Sequence, residues 1–321
     1  MTDHRRAVTA SAPTRLDFGG GWTDVPPYPQ ERGGFVCNLA ITRRATVLVA
    51  PSNTTVAPTD ALVRAALRRA SVDAVRVTLS SDFPVGAGLG GSSAAGVALA
   101  AALHRMRGEI LAPGELAEWS RAVEVEELGI AGGRQDHYAA AFGGALGLTF
   151  GDVTTVESIP LSTTTRATLE RQCLLAYTGE SRISATTITA VLDAYRDRES
   201  RVVSALARMA QLAREMRDAL TAGNVAALAE LVAQHWREQR PLHPGITTAR
   251  IDAIERAALA AGATALKALG ASGGGCVIVL APDAHVDAVT RAIAPLAAVL
   301  PWEVDTTGVR VAIGEPMSLI D

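Results

Sequence analysis

Four glycines fall within six positions of the run Pro84-Val-Gly-Ala-Gly-Leu-Gly-Gly-Ser-Ser-Ala94, and two serines follow them. Gly86, Gly88, Gly90 and Gly91 can take positive φ and let the backbone approach a ligand closely. Ser92 and Ser93 stand where a helix N-cap is preferred, ahead of an alanine-rich stretch that reaches Leu103. The free amides of a helix start, aligned with the helix dipole, bind anions, and polyphosphate is the commonest biological anion that needs such a site. The run from Pro84 through Leu89 to Ser93 therefore reads as a phosphate cradle. A Walker A loop is excluded, because it needs Gly-Lys and the single lysine, Lys267, lies far away. A dinucleotide fingerprint is a weak match, because the spacing is G-x-G-x-G-G and no acidic residue stands about 20 positions on after a second strand. For the loop taken alone, a ligand-free strand-to-helix turn is the plain alternative.

Phosphoryl transfer to a hydroxyl needs more than a cradle. It needs a metal ion, a residue that orients or deprotonates the hydroxyl, and cations for the developing charge. Mg²⁺ keeps several waters and takes only one or two protein oxygens, so one hydroxyl and one carboxylate suffice. Glu124 and Glu127, three apart on a helix, share a face from which Glu126 is turned away, and residue types alone do not choose among them. Asp136 follows Gly132 and Gly133, where backbone constraint holds a carboxylate either towards a cleft or as a turn cap. Arg15 and Asp17 alternate onto one face of a strand, which leaves Asp17 less readable, a simple ion pair with Arg15 being one option.

The order of residues from Pro84 to Ala94 resembles the second signature motif of the GHMP small-molecule kinases, the family of galactokinase, homoserine kinase, mevalonate kinase and phosphomevalonate kinase. Glu124-Val-Glu-Glu-Leu-Gly129 followed by Gly133-Arg-Gln-Asp136 is similar to the galactokinase spacing. That likeness implies Glu124 as the metal carboxylate with Ser92 as its hydroxyl partner, Glu126 as the fallback, and Asp136 as the group that orients or deprotonates the acceptor. His137 stands where related enzymes often carry Gln. The opening Ala12-Pro-Thr-Arg-Leu-Asp-Phe-Gly-Gly-Gly-Trp-Thr-Asp-Val-Pro-Pro-Tyr28 looks like the first motif in its fucokinase and D-glycero-D-manno-heptose 7-phosphate kinase form. It implies Arg15 as the cation beside the transferred phosphoryl, Asp24 as an acceptor for sugar hydroxyls and Trp22 as a wall of the sugar pocket. Lys267-Ala-Leu-Gly-Ala-Ser-Gly-Gly-Gly-Cys276 resembles the third signature, whose glycines, here Gly273, Gly274 and Gly275, bring amides close to substrate and phosphate. Ala176-Tyr-Thr-Gly-Glu-Ser-Arg182 is similar to a heptose kinase segment and adds Thr178 and Arg182 to the acceptor contacts, beside Gly133 and Arg134.

The resemblance implies ATP and Mg²⁺ as cofactors, a two-lobed α+β fold with mixed sheets and a cleft between the lobes, and transfer of the γ-phosphoryl to a sugar hydroxyl. The acceptor signals split. Gly132-Gly-Arg-Gln-Asp136 and Ala139-Ala-Ala-Phe-Gly-Gly144 favour C1 of a heptose 7-phosphate, whereas Gly21-Trp-Thr-Asp-Val-Pro-Pro-Tyr28 leans to fucokinase or another free-sugar 1-kinase. A 7-phosphate calls for basic groups at the far end of the pocket, with Arg134, Arg182 and Arg240 as candidates. A catalytically silent sugar-binding or regulatory protein on the same fold is the rival of another class. The joint presence of Arg15, Ser92, Glu124 and Asp136 argues against it.

The elements that must position these groups are legible in outline. With 321 residues, 48% of them hydrophobic, the chain can bury a large core in two lobes, divided here as 1–155 and 156–321. Thirty basic against 33 acidic residues give a net charge of −3, so no electrostatic footprint for nucleic acid or an anionic membrane is present and phosphate binding must be local. Cys37, Cys173 and Cys276 are odd in number and lie in apolar runs, as buried thiols of a reducing compartment do. The N-terminal stretch has no apolar signal core and no run approaches 18 apolar residues, which makes cytoplasmic residence the expectation. Strands are expected through 7–50 and at 145–150, 173–177, 276–280 and 309–313. Helices are expected at 60–70, 94–106, 113–128, 184–222, 225–239, 248–261 and 284–298, with a glycine-rich turn over 129–138.

Overall fold

The computed structural model describes residues 6–53, 58–180 and 185–314. Two long strands, β1 (Val8–Gly19) and β2 (Gly34–Pro51), anchor a first sheet that also contains β3 (Val75–Ser81), β4 (Ala145–Phe150) and β5 (Thr155–Ile159). A second sheet is built from β6 (Cys173–Tyr177), β7 (Ala265–Ala268), β8 (Cys276–Leu280) and β9 (Ala298–Leu300), in the order β7-β8-β6-β9. The last strand, β10 (Arg310–Ile313), returns to β1, so the first sheet runs β10-β1-β2-β4-β5 with β3 beside β2. It therefore draws on chain from both sides of residue 155. The pairings described between these strands are all antiparallel, where the sequence suggested mixed sheets. Neighbours such as β4 and β5 are joined by a tight turn, which antiparallel pairing permits and parallel pairing does not.

The helices are α1 (Tyr28–Arg32), α2 (Ala61–Ala70), α3 (Gly91–Met106), α4 (Pro113–Ala122), α5 (Gln135–Phe142), α6 (Thr163–Gln172), α7 (Ala185–Arg196), α8 (Ser200–Thr221), α9 (Val225–Gln239), α10 (Ala249–Ala260) and α11 (Val286–Ile293). Two helix starts carry side-chain caps in the expected way: the Asp60 carboxylate accepts the Val63 amide at 3.1 Å at the head of α2, and Thr248 accepts the Ile251 amide at 3.2 Å ahead of α10. At α3 the N-cap is Gly90, with no side-chain cap, so Ser92 and Ser93 fall inside the first turn and not at the cap expected for them. Helix α3 is buried on all sides from Ser93 to Leu103, which an apolar, alanine-rich helix requires. It lies against β1, β2, α4 and α5.

Three expectations are corrected. The single helix expected over 184–222 is broken into α7 and α8 at Arg198, which takes a left-handed φ of 59°. The helix expected to run to residue 128 stops at Ala122 and continues as a π-helical turn over Val123–Glu127. The expected turn around Asp136 is the first turn of α5.

Apolar side chains from both sheets meet in one cluster. Leu16, Phe18 and Leu39 from the first sheet pack with Leu175 and Ile278 from the second and with Leu212 of α8, all fully buried. Each such leucine contributes about 1.5–3 kcal/mol by leaving water. Above this cluster the two glycine-rich segments touch backbone to backbone. The Cys276 amide donates to Ala87 O at 2.7 Å, and Gly275, with φ 76°, approaches so closely that a Cβ would lie 2.7 Å from that same carbonyl. Gly275→Ala is therefore expected to destabilise the protein by about 1–3 kcal/mol, since it adds a left-handed side chain and a backbone clash together. A urea unfolding midpoint equal to wild type would show that the contact yields without cost.

Candidate active site

Two adjoining cavities lie along this seam. The larger, about 550 Å³, runs over the glycine loop and is lined by Pro84, Gly86, Gly88, Leu89, Gly90, Gly91 and Ser92. Apolar side chains of Leu62, Leu79 and Phe83 form its outer end. The smaller, about 200 Å³, is lined by Trp22, Asp24, Ser93, Glu124, Gly133 and further polar groups. Arg15, Ser92, Asp136, Ile188, Gly270 and Ala271 belong to both, so the passage between the cavities is walled by the groups that the sequence put forward as catalytic, together with three that it did not.

Arg15 projects from β1 and Asp136 from the first turn of α5. Their contact is bidentate: Arg15 Nε donates to Asp136 Oδ1 at 2.8 Å and Nη2 to Oδ2 at 2.9 Å, a charge-assisted fork that fixes both planes. The remaining Nη1 donates to Gly88 O at 2.7 Å, tying the cation to the glycine loop. Arg15 is almost fully buried, whereas the Asp136 side chain keeps 25% of its surface open to the cavity. The ion pair that strand alternation allowed between Arg15 and Asp17 does not form. Asp17 pairs instead with Lys267 of β7, whose Nζ donates to Asp17 Oδ2 at 3.0 Å and to Asp17 O at 2.7 Å. Burial alone would raise the Asp17 carboxyl, but the charges of Lys267 and Arg15 outweigh it and hold it below its ordinary value. His235 closes this buried group: its Nε2 accepts the Gly20 amide at 2.8 Å, and burial pushes its pKa down to about 3, so the ring is neutral.

The π-helical turn decides which glutamate faces the site. Glu124 points inward, and Ser92 Oγ donates to its Oε1 at 2.6 Å. Glu126 and Glu127 point outward to Arg69 of α2, at 2.9 and 3.5 Å. Such turns insert one residue into the helical repeat and often occur at functional sites. His137 does not reach the cavity. It is buried behind Glu124, with Nε2 3.0 Å from Glu124 Oε2 and Nδ1 3.0 Å from Ser120 Oγ. Burial raises the Glu124 carboxyl, yet the contacts with His137 and Ser92 prevail and its pKa is lowered, which keeps it ionised. One ionised carboxylate and one hydroxyl thus converge at the N-terminus of the buried helix α3, a donor set that fits Mg²⁺. Glycines without side chains leave the amides of the loop open to a polyphosphate, and Gly88 and Gly90 hold the left-handed φ values, 72° and 75°, that this needs.

Asp24 spans the gap to α5: its Oδ2 accepts the amides of Arg134 at 2.8 Å and Gln135 at 3.0 Å. Burial nevertheless pushes its pKa up to about 6. Trp22 lines the smaller cavity with φ 81°, a conformation that a bulky residue holds only under constraint from its surroundings. The other acceptor candidates are placed differently. The Arg134 side chain turns to Glu118, 3.3 Å away, and only its backbone serves the site. Thr178 sits behind the third glycine turn, where its Oγ1 donates to Gly275 O at 2.9 Å. Gly273 and Gly275 donate their amides to Ile246 O at 3.0 Å and Glu180 O at 2.7 Å and do not line either cavity; of the three glycines only Gly274 does. The part of that motif facing both cavities is Gly270-Ala271 instead. Arg182 lies outside the described residues. Gln135, Ile188, Gly270 and Ala271 were missed; Gly270 lay inside the third motif, whereas nothing in the local sequence marks Ile188 of α7.

The GHMP kinases N-terminal domain model matches residues 59–144 and the C-terminal domain model residues 216–296, together just over half of the chain. The chain belongs to the GHMP kinase family, whose sugar kinase members are phosphotransferases acting on hydroxyl groups. It is 26% identical over 300 residues to a D-glycero-alpha-D-manno-heptose 7-phosphate kinase of Campylobacter jejuni, covering 84% of this chain and 88% of that protein. It is 25% identical over 324 residues to the bifunctional fucokinase/GDP-fucose pyrophosphorylase of Arabidopsis thaliana; this takes in 87% of the chain but spans only 30% of the relative's length. In fold it is similar to a D-glycero-D-manno-heptose 1-phosphate kinase from Bacteroides thetaiotaomicron, with a TM-score of 0.77 at 24% identity over 95% of this chain and 98% of that one. Among the described residues no helix is long and apolar enough to cross a membrane.

Two outcomes follow from the site. Glu124→Gln should weaken the dependence of turnover on Mg²⁺ at least tenfold, while Glu126→Gln should leave it within about twofold; a Mg²⁺ titration showing the reverse ranking would transfer the metal role. Below its raised pKa, Asp24 is protonated and loses its charge, which would weaken the contact with sugar hydroxyls that the family resemblance implies for it. The kcat/KM for the sugar is therefore expected to be about tenfold lower at pH 5 than at pH 7. Asp24→Asn should flatten that limb of the pH profile.

Proposed function

We propose that the protein is an ATP- and Mg²⁺-dependent sugar kinase that phosphorylates the anomeric C1 hydroxyl of its acceptor. The observation that carries this is the Arg15 and Asp136 fork at the passage between the two cavities, facing Ser92 and Glu124. ATP would supply the γ-phosphoryl group, and Mg²⁺ on Ser92 Oγ and the Glu124 carboxylate would offset its negative charge. Asp136 orients the acceptor hydroxyl and takes its proton, and Arg15 holds the carboxylate in the plane that makes this possible. As the proton moves to Asp136 the Arg15 guanidinium is left free to stabilise charge developing at the passage. Trp22 and Asp24 wall and hold the sugar, and the glycine loop supplies amides to the nucleotide phosphates.

For the acceptor, a heptose 7-phosphate is the first reading, supported by the likeness to the Campylobacter heptose 7-phosphate kinase over most of both chains. A free sugar is the second. It is favoured by the commitments of two proposed phosphate-binding arginines: Arg134 pairs with Glu118, and Arg240 pairs with Asp252 at 2.8 Å and Glu255 at 2.6 Å. These readings separate in a coupled ADP-release assay with free hexoses, free heptoses and their terminal phosphates, the product phosphate being located by ³¹P NMR. Transfer to C1 is expected, and transfer to another position would overturn the anomeric assignment. Asp136→Asn should lower kcat by about 10²–10⁴ with nucleotide binding nearly intact. An unchanged rate would remove Asp136 from the mechanism, and nucleotide binding without turnover of any sugar would favour a silent sugar-binding protein.

A further inference from the structure

Behind the smaller cavity a row of buried polar side chains leads away from Glu124. His137 of α5 places Nε2 3.0 Å from Glu124 Oε2 and Nδ1 3.0 Å from Ser120 Oγ of α4. Ser93 Oγ lies 3.4 Å from the same Nε2. His137 and Ser120 are 1% and 0% exposed, and neither lines either cavity. An ionised carboxylate only accepts hydrogen bonds, so Nε2 donates to it. The Ser120 hydroxyl, able to donate or accept, braces the ring from the other side. Room for the brace comes from Gly96. It stands inside α3, where glycine is a poor helix former, and a Cβ at that position would collide with Ser120 Oγ.

The two oxygens of Glu124 therefore have different neighbours. Oε1 accepts from Ser92, which lines both cavities, and Oε2 is held by the imidazole. A carboxylate whose second oxygen is engaged by a fixed donor offers one oxygen to a cation. Mg²⁺ asks for no more, because it keeps several waters in a strict octahedron around one or two protein oxygens. Ca²⁺ collects more oxygens in a looser geometry and readily takes both from one carboxylate.

We propose that His137, braced by Ser120, is a positioning residue that restricts Glu124 to one oxygen and so makes the site at Ser92 and Glu124 favour Mg²⁺ over Ca²⁺. This rests on the metal role given to those two residues in the sugar kinase reading and deepens it by naming what sets the choice of cation. It also accounts for three features that are otherwise unconnected: a buried histidine with a partner on each ring nitrogen, a glycine inside a buried helix, and a π-helical turn that aims one glutamate inward.

The test needs no turnover. Calorimetry measures the dissociation constant of the non-hydrolysable ATP analogue AMP-PNP in EDTA, in saturating Mg²⁺ and in saturating Ca²⁺. In wild type, Mg²⁺ should tighten binding about tenfold more than Ca²⁺ does. His137→Leu keeps most of the volume and removes the donor, so the gain from Mg²⁺ should fall about tenfold while the gain from Ca²⁺ changes less than about twofold. Affinity in EDTA should stay within about twofold of wild type, since no metal is involved. His137→Gln, which restores an N–H donor, should return most of the preference. Ser120→Ala leaves His137 in place but unbraced and should lower the preference about threefold; it carries the test alone if His137→Leu does not fold. A wild type that gains equally from both ions, or variants that lose equally for both or not at all, would overturn the positioning role and leave the sugar kinase reading standing. A wild type whose AMP-PNP binding responds to neither ion would instead remove the metal role of Ser92 and Glu124, and this inference with it.

Discussion

The close docking of two glycine-rich segments is the constraint on which the site depends. Ala87 O accepts the Cys276 amide, Gly88 approaches Leu269 O, and the Arg15 amide donates to Leu89 O, so the phosphate loop is pinned between β1 on one side and the third glycine turn on the other. Backbones approach this closely only where side chains are missing. The loop then stays open towards the larger cavity while its other edge is held rigidly. A nucleotide bound there would meet amides whose positions are set by sheets from both parts of the chain, which is how a loop gains the precision of a rigid element.

Four carboxylates line the smaller cavity, and each is controlled by a different partner. Asp136 is gripped by Arg15, Asp17 by Lys267, Glu124 by Ser92 and His137, and Asp24 by two backbone amides. Like charges this close would otherwise drive protonation of some of them. Burial acts to raise Asp17 and Glu124 as well, but their charged or hydrogen-bonded side-chain partners outweigh it, whereas Asp24, held by backbone amides, is pushed up to about 6. With a net charge of −3 on the chain, positive potential at the passage between the cavities comes from local groups, Arg15 and the amides of the glycine loop.

Much of the site was legible because its chemistry sits in contiguous motifs. The glycine loop, Ser92, Arg15 and Asp136 could each be picked out by residue type and spacing, and the structure brings them together around one passage. Glu124 was a harder choice. On a regular α-helix, spacing leaves Glu124 and Glu127 on one face, but the π-helical turn rotates them apart and sends Glu127 to the arginines of α2. The third motif was read one turn too late: Gly273 and Gly275 spend their amides on Ile246 and Glu180, and Gly270 and Ala271 take the cavity wall. Thr178 and the Arg134 side chain were likewise assigned to the acceptor from local pattern, although their partners come from elsewhere in the chain.

By itself the sequence determined the family, the glycine loop ahead of a buried alanine-rich helix, and the outline of strands and helices. These are local properties, written in glycine spacing, caps and apolar periodicity. Only the tertiary structure decided ionic pairing and direction. Arg15 and Asp17 face the same way on β1, yet they part to Asp136 and Lys267, 121 and 250 residues away, because the buried lysine needs a counter-ion and the strand offers Asp17 beside it. Nothing in the spacing of Asp17 could announce Lys267. Such contacts follow from which surfaces the core brings together, and the core is settled by the whole chain.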